Sequence, residues 1–146
     1  MKKIKEITSA ETFSVRHQVL RQGKPIESCL FVGDNLSTTK HFGLFIDENL
    51  TAVVSVFQNN SSIFNTQNQF QIRGMAVLNQ FQKKGFGIEL VLCCEEYIKT
   101  QNGRLIWFNA RENAVPFYKK LGYEVVGNQF NIENLGIHYI MKKEMA

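Results

Sequence analysis

The stretch Gln82-Lys83-Lys84-Gly85-Phe86-Gly87 carries the residue types an anion site needs. Two glycines flank one phenylalanine, and two lysines come just before them. An apolar, strand-like run over 71–78 precedes the stretch. After it, Leu90, Val91, Cys94, Tyr97 and Ile98 recur at helical spacing. A glycine turn that feeds a helix leaves the first helical N–H groups without partners, at the positive end of the helix dipole. Such a turn holds phosphate-like anions through its backbone. Gly85 and Gly87 permit close approach and positive φ, and Lys83 and Lys84 add charge. The GxxxxGK[ST] spacing is absent, and so is the third glycine of the dinucleotide fingerprint. Two readings stand on these residues alone: an ordinary strand-to-helix turn, or an anion cradle.

The elements around the stretch decide how it is presented. A short strand over 3–8 leads to a helix near Ser9, because Thr8 and Glu11 have capping-box spacing. That helix should turn Phe13, Val19 and Leu20 inward and stop before Gly23 and Pro25. Residues 26–40 read as a long loop with one short helical turn. The apolar runs 41–46 and 50–57 form a hairpin across Asp-Glu-Asn. The tract 58–69 is a polar loop anchored by Phe64. The helix after Gly87 ends at Gly103, and 104–110 is a central strand. Asn113 caps a further helix carrying Val115, Phe117, Tyr118 and Leu121, with Gly122 as its stop. Strands over 123–126 and 137–142 close the chain. The order β-α-β-β-β-α-β-α-β-β specifies an α/β protein with a mixed sheet.

The chain has 146 residues, read as one domain over 1–146. Hydrophobic residues make up 44% and charged residues 21%, the balance of a globular chain. A net charge of +4 suits a small anionic ligand, and no basic-aromatic patch points to nucleic acid. The N-terminal MKKIKEIT lacks an apolar core, so it is not a secretion signal, and no apolar run is long enough for a membrane span. Cys29, Cys93 and Cys94 have neither disulfide nor zinc spacing. They read as packing residues in a reducing, cytoplasmic protein, with no metal site expected.

The motif [Q/R]-x-x-G-x-[G/A] at 82–87, preceded by "RGMAVLNQF" and followed by "NAVPFYKKLGYEVVG", closely resembles the GNAT superfamily of acyl-CoA-dependent N-acyltransferases. The likeness runs from about His41 to the end, and "RHQVLRQGKP", "FVGD", "HFG" and "ENLGIHYIMKK" resemble one bacterial subfamily. It implies the GNAT fold: a mixed sheet of about six to seven strands, about four helices, and splayed central strands. It implies acetyl-CoA as co-substrate, a small-molecule or peptide amine as acceptor, and often a homodimer. Met75, Ala76 and Val77 match the strand whose backbone pairs with the pantetheine arm. Gln82, Lys83, Lys84, Gly85, Phe86, Gly87 and Ile88 match the pyrophosphate loop.

Tyr118 matches the tyrosine that protonates the departing thiolate and touches the cofactor. The chain departs from the pattern at two positions. Arg111 stands where many members have a cofactor-contacting asparagine; it can bind the cofactor or a substrate carboxylate, or lie on the surface. Ile106 stands where many have a glutamate base. The base is therefore unassigned, with His41, His138 and His17 as candidates ahead of Glu112 and Asp34. Arg73 can face the acceptor pocket. Two functions stay in view: direct acetyl transfer in a ternary complex, and a non-catalytic acyl-CoA-binding module.

Overall fold

The computed structural model describes residues 1–146. β1 (Lys2–Ile7) leads into α1 (Ser9–Leu20), then β2 (Lys40–Ile46), β3 (Asn49–Gln58) and β4 (Gln69–Val77). α2 (Phe86–Thr100), β5 (Leu105–Arg111), α3 (Val115–Lys120), β6 (Glu124–Ile132) and β7 (Gly136–Glu144) complete the chain. Three-residue and four-residue 3₁₀ turns lie at Ile26–Cys29, Asn79–Phe81 and Glu112–Ala114. The strand count and element order are as expected. The helix count is not: there are three α-helices rather than about four, and the loop after α1 supplies only a 3₁₀ turn.

All seven strands form one sheet in the order β1-β2-β3-β4-β5-β7-β6. Every neighbouring pair is antiparallel except β4 and β5, which run parallel. Successive strand residues face opposite sides, so β3 serves two cores. Val54 and Val56 join Leu90, Val91, Cys94 and Ile98 of α2 on one face. Val53 meets Ile7, Val15 and Ala76 on the other, under α1. Val115, Phe117, Tyr118 and Leu121 place α3 on the α2 side, beside Phe108 and Tyr123.

The caps show where local chemistry held. At α1 the Thr8 hydroxyl accepts from the Glu11 N–H, and the Glu11 carboxylate accepts from the Thr8 N–H. At the end of α2 the left-handed residue is Asn102, at φ 58°, and not Gly103. Gly103 is required for another reason: a Cβ there would lie 2.3 Å from Ile98 and 2.9 Å from Phe70. Asn113 caps nothing, because it sits inside the 3₁₀ turn before α3. On α1 the deeply buried residues are Thr12, Val15 and Arg16, while Phe13, Val19 and Leu20 are half-buried.

Candidate active site

The site begins as a break in the sheet. β4 and β5 pair only through Gln69–Gln71 against Leu105–Trp107. Beyond that point β4 runs on to Val77 and β5 to Arg111 without pairing to each other. On its other side β4 keeps β3, with a register shift between Val53 and Ser55 opposite Gly74. Gly74 takes φ 68°, a left-handed value that suits a bulge and that glycine accepts without strain. A Cβ there would stand 3.0 Å from the Phe31 ring and 3.3 Å from Arg16 Nε. The bulge bends β4 away from β5 and opens a notch. Met75, Ala76 and Val77 form its β4 wall. Ala76 and Val77 are held from behind by Val53 and Ala52, and Met75 lines the cavity beside them.

The loop after β4 delivers the cradle. Gln82 donates from Nε2 to the Val77 carbonyl at 3.0 Å and to Asn79 Oδ1 at 3.2 Å, so its side chain ties the loop to the strand end. Phe81 stacks on Phe86 with centroids 6.0 Å apart. Lys83 takes φ 63° and Gly85 φ 85°. α2 then starts at Phe86 with Gly85 as its cap and no side chain capping it. The first helical bond runs from the Glu89 N–H to the Gly85 carbonyl at 3.1 Å. The N–H groups of Lys83, Lys84, Gly85, Phe86, Gly87 and Ile88 have no acceptor in the protein. Space beyond Gly85 is open: a Cβ there would meet nothing within 4 Å. Gly87 is small for packing, since a Cβ would lie 3.3 Å from the Phe117 ring. Lys83 and Lys84 are exposed and form no salt bridge. The donor set is what a polyanion requires, and it sits at a helix N-terminus.

The notch widens into a cavity of about 310 Å³. β4 contributes Arg73, Gly74 and Met75 to its lining, and β5 contributes Phe108 through Arg111. Tyr118 enters from α3, His138 from β7, and Arg21 and Phe31 from α1 and the loop after it. Tyr118 packs against Phe108 at 4.4 Å and against Phe117 at 5.0 Å, and its hydroxyl makes no hydrogen bond within the protein. Burial, with a smaller push from Cys94, raises its pKa to about 12. Neighbouring Tyr123 is different: its hydroxyl donates to Glu95 at 2.8 Å, outside the cavity lining.

The histidines separate cleanly. His138 is buried, and its Nδ1 lies 2.9 Å from the Gly136 carbonyl. A carbonyl only accepts, so Nδ1 carries a proton, and in the neutral ring the lone pair is on Nε2. His41 has no nitrogen to spare. Its Nε2 donates to the Asp34 carbonyl at 2.9 Å, and its Nδ1 is 2.6 Å from the Ser55 hydroxyl. His17 bonds to the Lys24 carbonyl away from the cavity. Asp34 is spent on Arg16, and Glu112 is exposed on its 3₁₀ turn. Ile106 is fully buried in the core and cannot take a proton. Arg111 is exposed at the cavity mouth, paired in register with His138.

One group of residues escaped sequence reasoning. Arg16 and Asp34 are both fully buried and joined by two bonds, of 2.6 and 3.2 Å. Arg16 also donates to the Cys29 carbonyl at 2.7 Å and to the Ser55 hydroxyl at 2.9 Å. Asp34 accepts from the Phe31 N–H at 2.9 Å. The Arg16 guanidinium lies 3.9 Å from the centre of the Phe31 ring. The network therefore fixes Phe31, one wall of the cavity. No motif marks it, since its members are scattered from 16 to 55. The three cysteines form no disulfide, and burial raises the pKa of Cys29, Cys93 and Cys94 and so disfavours the thiolate.

Both the sequence and the fold have known relatives. A family model described as an acetyltransferase (GNAT) domain matches residues 33–145. The uncharacterized N-acetyltransferase YitI of Bacillus subtilis is 28% identical over 145 residues, covering 99% of this chain and 97% of its own. Among solved structures, an aminoglycoside 6'-N-acetyltransferase complexed with coenzyme A superimposes with a TM-score of 0.78 at 15% identity, covering 97% and 96% of the two chains. The ribosomal-protein-S18-alanine N-acetyltransferase from Escherichia coli gives 0.77 at 14% identity, covering 100% and 96%. The fold is shared with both, and the chain belongs to the GNAT family of acetyltransferases.

Proposed function

We propose that the protein moves an acetyl group from acetyl-CoA to an amine, with both bound at once and no acyl-enzyme. The observation that carries this reading is the run of unpartnered N–H groups from Lys83 to Ile88, set at the mouth of the β4–β5 notch. A pyrophosphate suits those donors. The unpaired edge of β4 at Met75, Ala76 and Val77 suits an amide-bearing arm. A backbone N–H on the same bulged strand would stabilise the oxyanion formed from the thioester. The solved coenzyme A complex of the aminoglycoside relative supports this use of the fold.

His138 is the base. It lines the cavity with Nε2 free of protein partners, and imidazole is the side chain suited to proton transfer near neutrality. Tyr118 is the acid-side residue. A phenol held near 12 stays protonated throughout the working range. Full proton transfer to a thiolate, whose ordinary pKa is about 8.5, is then uphill. The phenol therefore acts chiefly as a hydrogen-bond donor to the leaving sulfur.

The test is release of free thiol from acetyl-CoA across an amine panel. Tyr118→Phe should lower kcat about 10- to 100-fold, the worth of a hydrogen bond to a charged group, with coenzyme A affinity within about threefold. Tight coenzyme A binding with no thiol release on any amine would instead favour an acyl-CoA-binding module.

A further inference from the structure

The cavity is cationic without a counter-charge. Arg21, Arg73 and Arg111 line it, and no aspartate or glutamate does. None of the three arginines forms a salt bridge. Arg73 is the most constrained. Its guanidinium lies 4.8 Å from the centre of Phe31 and 5.3 Å from that of Phe57, half-buried between the two rings. It makes no hydrogen bond to the protein, although a guanidinium has five N–H donors. Arg21 reaches the same Phe31 ring at 5.2 Å, and its one bond is to the adjacent Leu20 carbonyl. Two guanidinium groups thus share one aromatic wall with nearly all of their donors unspent.

The one nearby acid does not relieve this. Both oxygens of Asp34 are taken, by Arg16 and the Phe31 N–H. Burial pulls the Arg73 pKa down, Asp34 opposes the shift, and Arg16 and Arg21 add to it. A buried, unpaired cation is costly unless something pairs it.

Resting on the acetyl-CoA reading above, we propose that the acceptor is a small primary amine bearing a carboxylate, and that Arg73 and Arg21 grip that carboxylate. The planar guanidinium fork matches a carboxylate with two parallel bonds. A volume of about 310 Å³ is near the lower end for ligand pockets, and the acyl end must share it, so the acceptor is of amino-acid size. A polycationic acceptor finds no carboxylate here and meets like charge instead. In the reaction the amine nitrogen bonds to the acetyl carbon and the carbon–sulfur bond breaks. One ammonium proton leaves to solvent before attack, and another passes from the new amide nitrogen to His138 and on to solvent. The sulfur leaves as thiolate and takes up a proton, giving an N-acetylated carboxylate and free thiol.

Calorimetry on the coenzyme A-saturated protein tests this with matched product pairs. The pairs are N-acetylglycine against its amide and N-acetyl-L-glutamate against its diamide, with N-acetylcadaverine as the cationic probe. At least one acid should bind ten times or more tighter than its amide and than the cationic probe. Arg73→Gln should erase that tenfold preference while leaving amide binding unchanged, and Arg73→Lys should retain part of it. Arg21→Gln, at a half-buried helix end, gives the same loss if Arg73→Gln fails to fold. Equal affinity for acid and amide, tighter binding of the cationic probe, or no acid binding below about 10 mM overturns the assignment. Failure to bind coenzyme A in the same instrument would remove the acetyl-CoA reading itself, and this proposal with it.

Discussion

Replacing Asp34 by alanine separates the structural role of the buried network from the chemistry. Asp34 and Arg16 are both fully buried, so the substitution strands a guanidinium without its carboxylate. Removing one partner of a buried pair costs about 3–5 kcal/mol. A domain holds only about 5–15 kcal/mol in total, so the loss should be visible at once. With a urea m-value of about 2 kcal/mol/M, the unfolding midpoint should fall by about 1.5–2.5 M. The Phe31 N–H loses its acceptor too, so the Phe31 wall should loosen while the cradle at 83–88 stays intact. Coenzyme A affinity should hold and acceptor affinity should drop. Arg16→Met alone should cost a similar amount, since it leaves Asp34 unpaired. The double variant should be more stable than the two losses added together, by about 1–3 kcal/mol of coupling. A midpoint shift below about 0.5 M for Asp34→Ala, or strictly additive losses, would refute the reasoning.

The remaining predictions concern the cradle and the titrating groups. Gly85→Glu places a carboxylate in open space beside the unpartnered N–H groups at a left-handed position, and should weaken coenzyme A binding at least 100-fold; near-normal affinity in a folded variant would sink the cradle. His138→Gln should lower kcat/KM by about 10²-fold or more, while His41→Gln should mainly lower the melting temperature. Burial raises Tyr118 to about 12 and raises Tyr123 in the same direction. The protonated folded state is then favoured below pH 10, and that stability drains as the pH climbs towards 12. Tyr118 should account for about 2–3 kcal/mol of the loss in alkaline denaturant melts, and Tyr118→Phe should flatten the slope.

Local signals carried most of the fold into the sequence. Thr8 and Glu11 announce the start of α1 because a capping box is contained within four residues. The apolar spacing after Gly87 announces α2, because a single face meets the sheet. The errors fell where packing outranked local preference. Gly103 does close the end of α2, its N–H donating to the Ile98 carbonyl at 3.0 Å, but the left-handed residue there is Asn102, and contact with Ile98 and Phe70 is what demands a glycine. Nothing local to α1 marks Arg16 for burial, and only the distant Asp34, Ser55 and Phe31 make it tolerable. Of the candidate site, the glycine loop at 82–87 and Tyr118 each lie in a short motif visible in the sequence. The proposed choice of His138 over His41 as base was not visible there, since it depends on which ring nitrogens are already engaged. The clustering of Arg21 with Arg73 was also hidden, because it arises only when α1 and β4 meet over Phe31.

The parting of β4 from β5 also changes how this sheet meets the rest of the cell. An ordinary open sheet exposes two raw borders, and each invites a foreign strand. Here two further borders lie in the interior, one along β4 beyond Gln71 and one along β5 beyond Trp107. They diverge from a closed vertex, and α3 with the β6–β7 hairpin overhangs them. A stray polypeptide strand would need both room to lie flat and a matching length of parallel edge. The wedge offers neither near its vertex. The protein can thus leave backbone groups unpaired at its centre, where the proposed cofactor arm would lie, without creating a nucleus for aggregation.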